Sequence, residues 1–271
     1  MASSNPAFSN SPAFTTSATK AAQLARSAPP ELTAQQLTEL YSRPSATPAE
    51  TDRMSYEDTI VKIVVSFGIL LIGAAVGWFI PALLLPALIV GFVLALVNIF
   101  KKKPSPALVL SYAAVEGVFV GGITSLFEFM SPGIAMQAVL GTFVVVGVTL
   151  ALFASGKVRA SKKATKVFMI AMIGYVVFSL LNVVLMWTGV NSQPFGMRSF
   201  EIIPGVPLGV ILGIVVILLA AYSLVLDFDS IKTGVERGAP RVYGWTAAFG
   251  IMVTVVWLYL EILRLLAILR D

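Results

Sequence analysis

The chain has 271 residues, 57% of them hydrophobic and 12% charged, with 19 Lys and Arg against 14 Asp and Glu. A charged share half the soluble average of about 25% excludes an ordinary soluble domain and indicates a polytopic membrane protein. With neither Cys nor His, disulfides, thiolate chemistry and the commonest transition-metal ligand are excluded, so any response to protons must use buried carboxylates.

Residues 1–57, rich in Ser, Ala, Pro and Thr, carry no apolar run long enough for a signal peptide and predict a retained, disordered cytoplasmic tail. Within it, residues 30–41 suit a short amphipathic helix, with Leu37, Leu40 and Tyr41 on one face and Thr33 with Gln36 as a capping box. Such a tail is the segment through which a regulatory protein would act. Residues 58–271 then form the membrane domain, an all-α bundle of seven transmembrane helices. Crossing the hydrocarbon core takes about 20 apolar residues. Suitable runs lie near 60–80, 82–100, 107–129, 134–155, 166–188, 207–228 and 247–269. Pro81, Lys101 to Pro104, Ser131-Pro132-Gly133, a basic stretch from Lys157 to Lys163, a longer loop over 191–207, and Lys232 to Arg241 separate them.

Lys and Arg fall on alternate connections. The tail with Lys62 holds five, the second–third loop three, the fourth–fifth loop with Lys166 five and the sixth–seventh loop three, 16 of the 19. The opposite loops carry only Arg198, and Arg264 and Arg270 belong to the last helix and its end. The bias predicts a cytoplasmic N-terminus and, with seven spans, a C-terminus outside. The basic residues sit in loops without base-stacking aromatics, which gives no support for nucleic-acid binding. Small residues four apart, Gly73/Gly77, Gly117/Gly121 and Gly209/Gly213, predict close helix packing.

Against this apolar background four acids stand out, because an intramembrane carboxylate is costly and marks a functional position by default. Glu116 lies about nine residues into the third span, about 14 Å from its start. Asp227 and Asp229 close the sixth apolar run. Two apart, they point about 200° from each other, so Asp227 suits an interior role and Asp229 a surface pair with Lys232. Glu261 sits among large apolar residues of the last span, with Arg264 three positions on, so it either pairs within its helix or faces carboxylates of other helices. Apposed carboxylates in low dielectric titrate as a unit, and carboxyl oxygens are natural ligands for a hard cation such as Ca²⁺. Glu128 and Glu201, near the opposite ends, read as solvated interfacial acids.

Leu258-Tyr-Leu-Glu-Ile-Leu-Arg-Leu-Leu266, Leu226-Asp-Phe-Asp-Ser-Ile231 and the stretch around Glu116-Gly117 resemble the signature segments of the Bax-inhibitor family, also called the transmembrane Bax inhibitor motif family. The N-terminal Ser-Asn-Pro-Ala-Phe and the Glu at 261 resemble its bacterial, actinobacterial-type branch. The resemblance covers residues from about 60 to 271. It implies a multi-pass protein of the bacterial inner membrane, without a tightly bound cofactor and not an enzyme, that leaks Ca²⁺ in response to protons. By motif it makes Asp227 and Glu261 the pH sensor and Glu116 a pore acid, the three contacting Ca²⁺ transiently. This chain carries Glu where the last-helix acid of relatives is usually Asp, and 34 positions part Asp227 from Glu261, which leaves Asp229 as an alternative partner for Glu261. The basic latch of relatives has no match in the second span, whose end carries Lys101 to Lys103. Two other readings of the same acids are a proton-coupled transporter of small solutes and an intramembrane aspartyl protease. The first lacks an internal repeat to support it, and the second lacks a Gly-x-Gly-Asp motif.

Overall fold

The computed structural model describes residues 52–270. Most of the tail, including the amphipathic stretch 30–41, lies outside the described residues. Seven long helices follow in chain order: α1 (Tyr56–Phe79), α2 (Leu84–Phe100), α3 (Pro106–Met130), α4 (Ile134–Ala154), α5 (Lys162–Trp187), α6 (Leu208–Glu236) and α7 (Gly244–Ile268). Counted with the 3₁₀ turns that lead into α2 (Pro81–Leu83) and α7 (Arg241–Tyr243), all seven are long and apolar enough to cross a membrane. The bundle is the all-α architecture read from the sequence.

Local chemistry sets the boundaries. The Ser55 hydroxyl accepts from the Asp58 amide at 3.2 Å, and Glu57 and Asp58 occupy the first turn, so α1 starts four residues before its apolar run. Pro81 opens a 3₁₀ turn, Pro81–Leu83, and Pro86 falls in the first turn of α2, where a missing N–H costs nothing, so the first two spans are joined by a tight turn. Helix α6 runs eight residues past the expected end at 228, so Asp227 and Asp229 lie inside the helix instead of closing it. At about 1.5 Å per residue its 29 residues span about 43 Å, more than the hydrocarbon core. Its last turns are polar, and Lys232 pairs with Glu236 at 3.7 Å, not with Asp229 as expected.

Glycines set the tightest contact. A Cβ added to Gly77 would lie 2.0 Å from the Val118 carbonyl oxygen, and one added to Gly121 would lie 1.9 Å from that of Ala74. Gly73 meets Ala114 and Gly117 meets Leu70 in the same way. Because the pairs Gly73–Ala114 and Gly77–Val118 keep a constant offset, α1 and α3 run parallel, backbone on backbone. Helix α7 is the most buried span and forms the axis. Its Met252, Leu258 and Leu263 are fully enclosed, and α1, α3, α4 and α6 pack around it. Helices α2 and α5 are the least buried and lie at the periphery. Between α1 and α4 lies an apolar groove of about 920 Å³, lined by Phe67, Leu70, Val120, Val146 and Val256 among others.

At the end carrying the basic turns, here the basic face, the chain before α1 is tied to the α6–α7 turn. The Met54 amide donates to Ala239 at 2.7 Å and the Arg241 amide to Asp52 at 2.8 Å. Arg241 also clasps Asp58 at 2.7 Å, and Lys62 bonds Asp58 and the Arg241 carbonyl. On the opposite face, the α5–α6 connection carries a 3₁₀ turn, Gly196–Ser199, and a small hairpin of β1 (Glu201–Ile203) with β2 (Val206–Pro207).

Candidate functional site: acids inside the bundle

The predicted acids fall into two places. Asp227, half-buried on α6, accepts a hydrogen bond from the Thr254 hydroxyl of α7 at 2.7 Å. Thr254 lies 3.4 Å from the Ser223 hydroxyl, one turn along α6, and Gly250 of α7 leaves room for the other carboxylate oxygen. A carboxylate thus lies between two helices, flanked by hydroxyls. No basic side chain comes within 4.0 Å of it among the described residues. Asp229, 200° around the same helix, points away from Thr254 and has no ion-pair partner among the described residues.

Glu116 is also half-buried, and its carboxylate lies over Gly91 of α2, where an added Cβ would come within 3.1 Å. Its level follows from two contacts between α3 and α7. Tyr112 stacks edge-on to Phe249 with ring centroids 5.0 Å apart, and the Thr124 and Tyr259 hydroxyls meet at 2.8 Å. The offsets, 249 − 112 = 137 and 259 − 124 = 135, put Glu116 level with residue 252, between the Gly250 and Thr254 that flank Asp227. Glu116 and Asp227 therefore stand at one height, on two helices that both pack on α7.

Glu261 does not join them. It lies seven residues beyond Thr254 on α7, about 10 Å toward the opposite face, and only 2% of it is exposed. Arg264 donates to it at 2.9 Å, Tyr175 of α5 donates to the same oxygen, and Arg198 of the α5–α6 connection faces its other oxygen at 3.8 Å. The expected pairing of Asp227, or of Asp229, with Glu261 is thus replaced by an intrahelical and a long-range ion pair. The reason is geometric: 34 residues cross a turn and return along an antiparallel helix, carrying Glu261 past the level of Asp227. No group of three acids that could hold a metal ion occurs among the described residues, so Asp227, Glu261 and Glu116 do not form a shared Ca²⁺ cage.

Arg198 is the residue that sequence reasoning passed over. It is 4% exposed although it belongs to a loop. Asn182 of α5 seats its turn, accepting from the Met197 amide at 2.6 Å and donating to the Phe195 carbonyl at 3.2 Å. The guanidinium donates to the Tyr175 hydroxyl at 3.0 Å and the Ser179 hydroxyl at 3.3 Å, and lies over the Tyr175 and Phe178 rings. Tyr175 thereby donates once and accepts twice, its full capacity. A usable signal was present: Arg198 is the lone basic residue on the opposite-face loops. Glu128 and Glu201 are also engaged. Glu128 accepts from the Gly133 and Ala135 amides at the start of α4, and Glu201 accepts from Gly205.

Seven apolar spans around a carboxylate-bearing interior define a polytopic membrane protein with ionisable groups inside the bundle. The chain matches the family model described as Bax inhibitor 1 like over residues 5–271, essentially its whole length, and it belongs to that family. Comparison with curated proteins finds no match.

Proposed function

We propose that this protein is a pH-sensitive leak pathway for cations, Ca²⁺ among them, controlled by protonation of Asp227 and Glu116. The observation that carries the reading is that these two acids share one level inside the bundle with no cation beside them among the described residues, whereas Glu261 is matched by guanidinium groups. A carboxylate in low dielectric without a counter-charge must take up a proton, a metal cation or water, so its charge is free to respond to the medium. Hydroxyls at Thr254 and Ser223 extend the oxygen ligands beyond Asp227, as a hard cation requires. In this reading Asp227 is the sensor, Glu116 the pore acid at the same height, and Glu261 a structural anchor. The protein acts as a conduit, not as an enzyme.

The test is Ca²⁺ entry into proteoliposomes loaded with a fluorescent indicator, followed over a range of pH. The expected result is entry above that of protein-free vesicles, with a pH dependence that changes in Asp227→Asn. Entry no faster than in protein-free vesicles at every pH overturns the reading.

A further inference from the structure

The loop that carries Arg198 does more than connect α5 to α6. We propose that the Gly196–Ser199 turn is the cover of the pathway at the opposite face, shut by insertion of Arg198 against Glu261 and opened by its withdrawal. This rests on the reading of the protein as a cation pathway. Two guanidiniums, Arg198 and Arg264, face a single carboxylate, so the seated turn leaves this cluster with one positive charge in excess. A buried arginine of this kind is a barrier to cations. The closure is tight but incompletely bonded: Arg198 Nη1 and Glu261 Oε2 are both buried, face each other at 3.8 Å, and make no hydrogen bond. Ion pairing without a hydrogen bond holds the side chain less firmly than the bidentate geometry guanidinium can reach.

The turn is shaped for this seat. Gly196 has φ 61°, and a Cβ there would lie 2.3 Å from Asn182 Oδ1, so only glycine lets the turn close on α5. Helix α5, which supplies Tyr175, Ser179 and Asn182, is among the least buried spans, and at this level these polar contacts join the packing of Tyr175 on Trp257 in holding it to the bundle. Withdrawal of Arg198 would free the turn and the adjoining face of α5 together.

The chain has no cysteine, so Ser179→Cys, a one-atom change beside Arg198, gives a single reporter thiol. In lipid nanodiscs, where reagent reaches both faces, a charged maleimide modifies it only where water does. With Arg198 in place labelling is slow. Arg198→Ala raises the rate by roughly tenfold or more if the turn is a cover. An unchanged rate in folded Arg198→Ala protein overturns the proposal. If that variant does not fold, Asn182→Ala decides, since it unseats the turn while leaving both charges in place: faster labelling supports the cover, and an unchanged rate refutes it. Labelling does not depend on ion flux, so a failed cover is distinguishable from a failed pathway.

Discussion

At the scale of single residues, the carboxyl group has opposite fates within one helix pair. Asp227 keeps a hydroxyl for company, whereas Glu261 is enclosed by Arg264, Arg198 and Tyr175. Removing one partner from a buried ion pair leaves the other charge uncompensated and costs about 3–5 kcal/mol. Glu261→Leu strands two guanidiniums, so a destabilisation of that order is expected from thermal unfolding in detergent, and a midpoint indistinguishable from wild type would show that Glu261 anchors nothing. The Arg264 half of this arrangement was legible in the sequence, because three positions on a helix bring two side chains together whatever the fold. The Arg198 half was not. Its 63 positions of separation from Glu261 (261 − 198) span α6, two connections and most of α7, and a positive charge on a loop reads as solvated until the loop is seen to dip inward.

At the scale of elements, the α1–α3 contact is built on backbone approach. Gly121→Ala would force a methyl to within 1.9 Å of the Ala74 carbonyl oxygen, so the helices must part, at a cost of about 1–3 kcal/mol or more from overpacking. Gly68 on α1 has nothing within 4 Å of a built Cβ, so Gly68→Ala is expected to be neutral or to stabilise by about 0.5–1 kcal/mol through helix propensity. Parallel unfolding curves of the two variants check the contrast, and equal losses would show that the glycine pairs are not the packing surface. The spacing of the glycines announced this interface, since in lipid small residues four apart have few other uses. Helix ends were less legible. An apolar run measures hydrocarbon thickness, while a helix continues as long as its backbone bonds do, and so α6 carries Asp227 and Asp229 well inside its length. That shift, with the antiparallel return of α7, separates Asp227 from Glu261 and brings Glu116 into register instead.

At the scale of the molecule, seven spans follow from hydropathy alone, because each apolar run can satisfy its backbone in a bilayer only as a helix. Seven crossings, an odd number, would place the two ends of the bundle on opposite sides. The basic turns, joined at α1, α2–α3, α4–α5 and α6–α7, mark one face, and a reporter active only in the cytoplasm is expected to work when fused at the N-terminus and to fail at the C-terminus. The reverse pattern would invert the assignment of faces, and activity at both ends would contradict seven crossings. The two polar centres lie at different heights between these faces: Glu116 and Asp227 in the half nearer the basic turns, and the Arg198–Glu261 pair in the half nearer the α5–α6 connection. In the proposed reading the first centre is the sensing level and the second the closure, which divides the acids by role.

That division is tested most directly by the pH profile of Ca²⁺ flux in proteoliposomes for two variants compared with wild type: the double variant Asp227→Asn with Glu116→Gln, and the single variant Glu261→Gln. The account predicts flux without pH dependence in the double variant and a retained pH dependence in Glu261→Gln, whatever its amplitude. A double variant that follows the wild-type profile, or a profile abolished by Glu261→Gln alone, would contradict it.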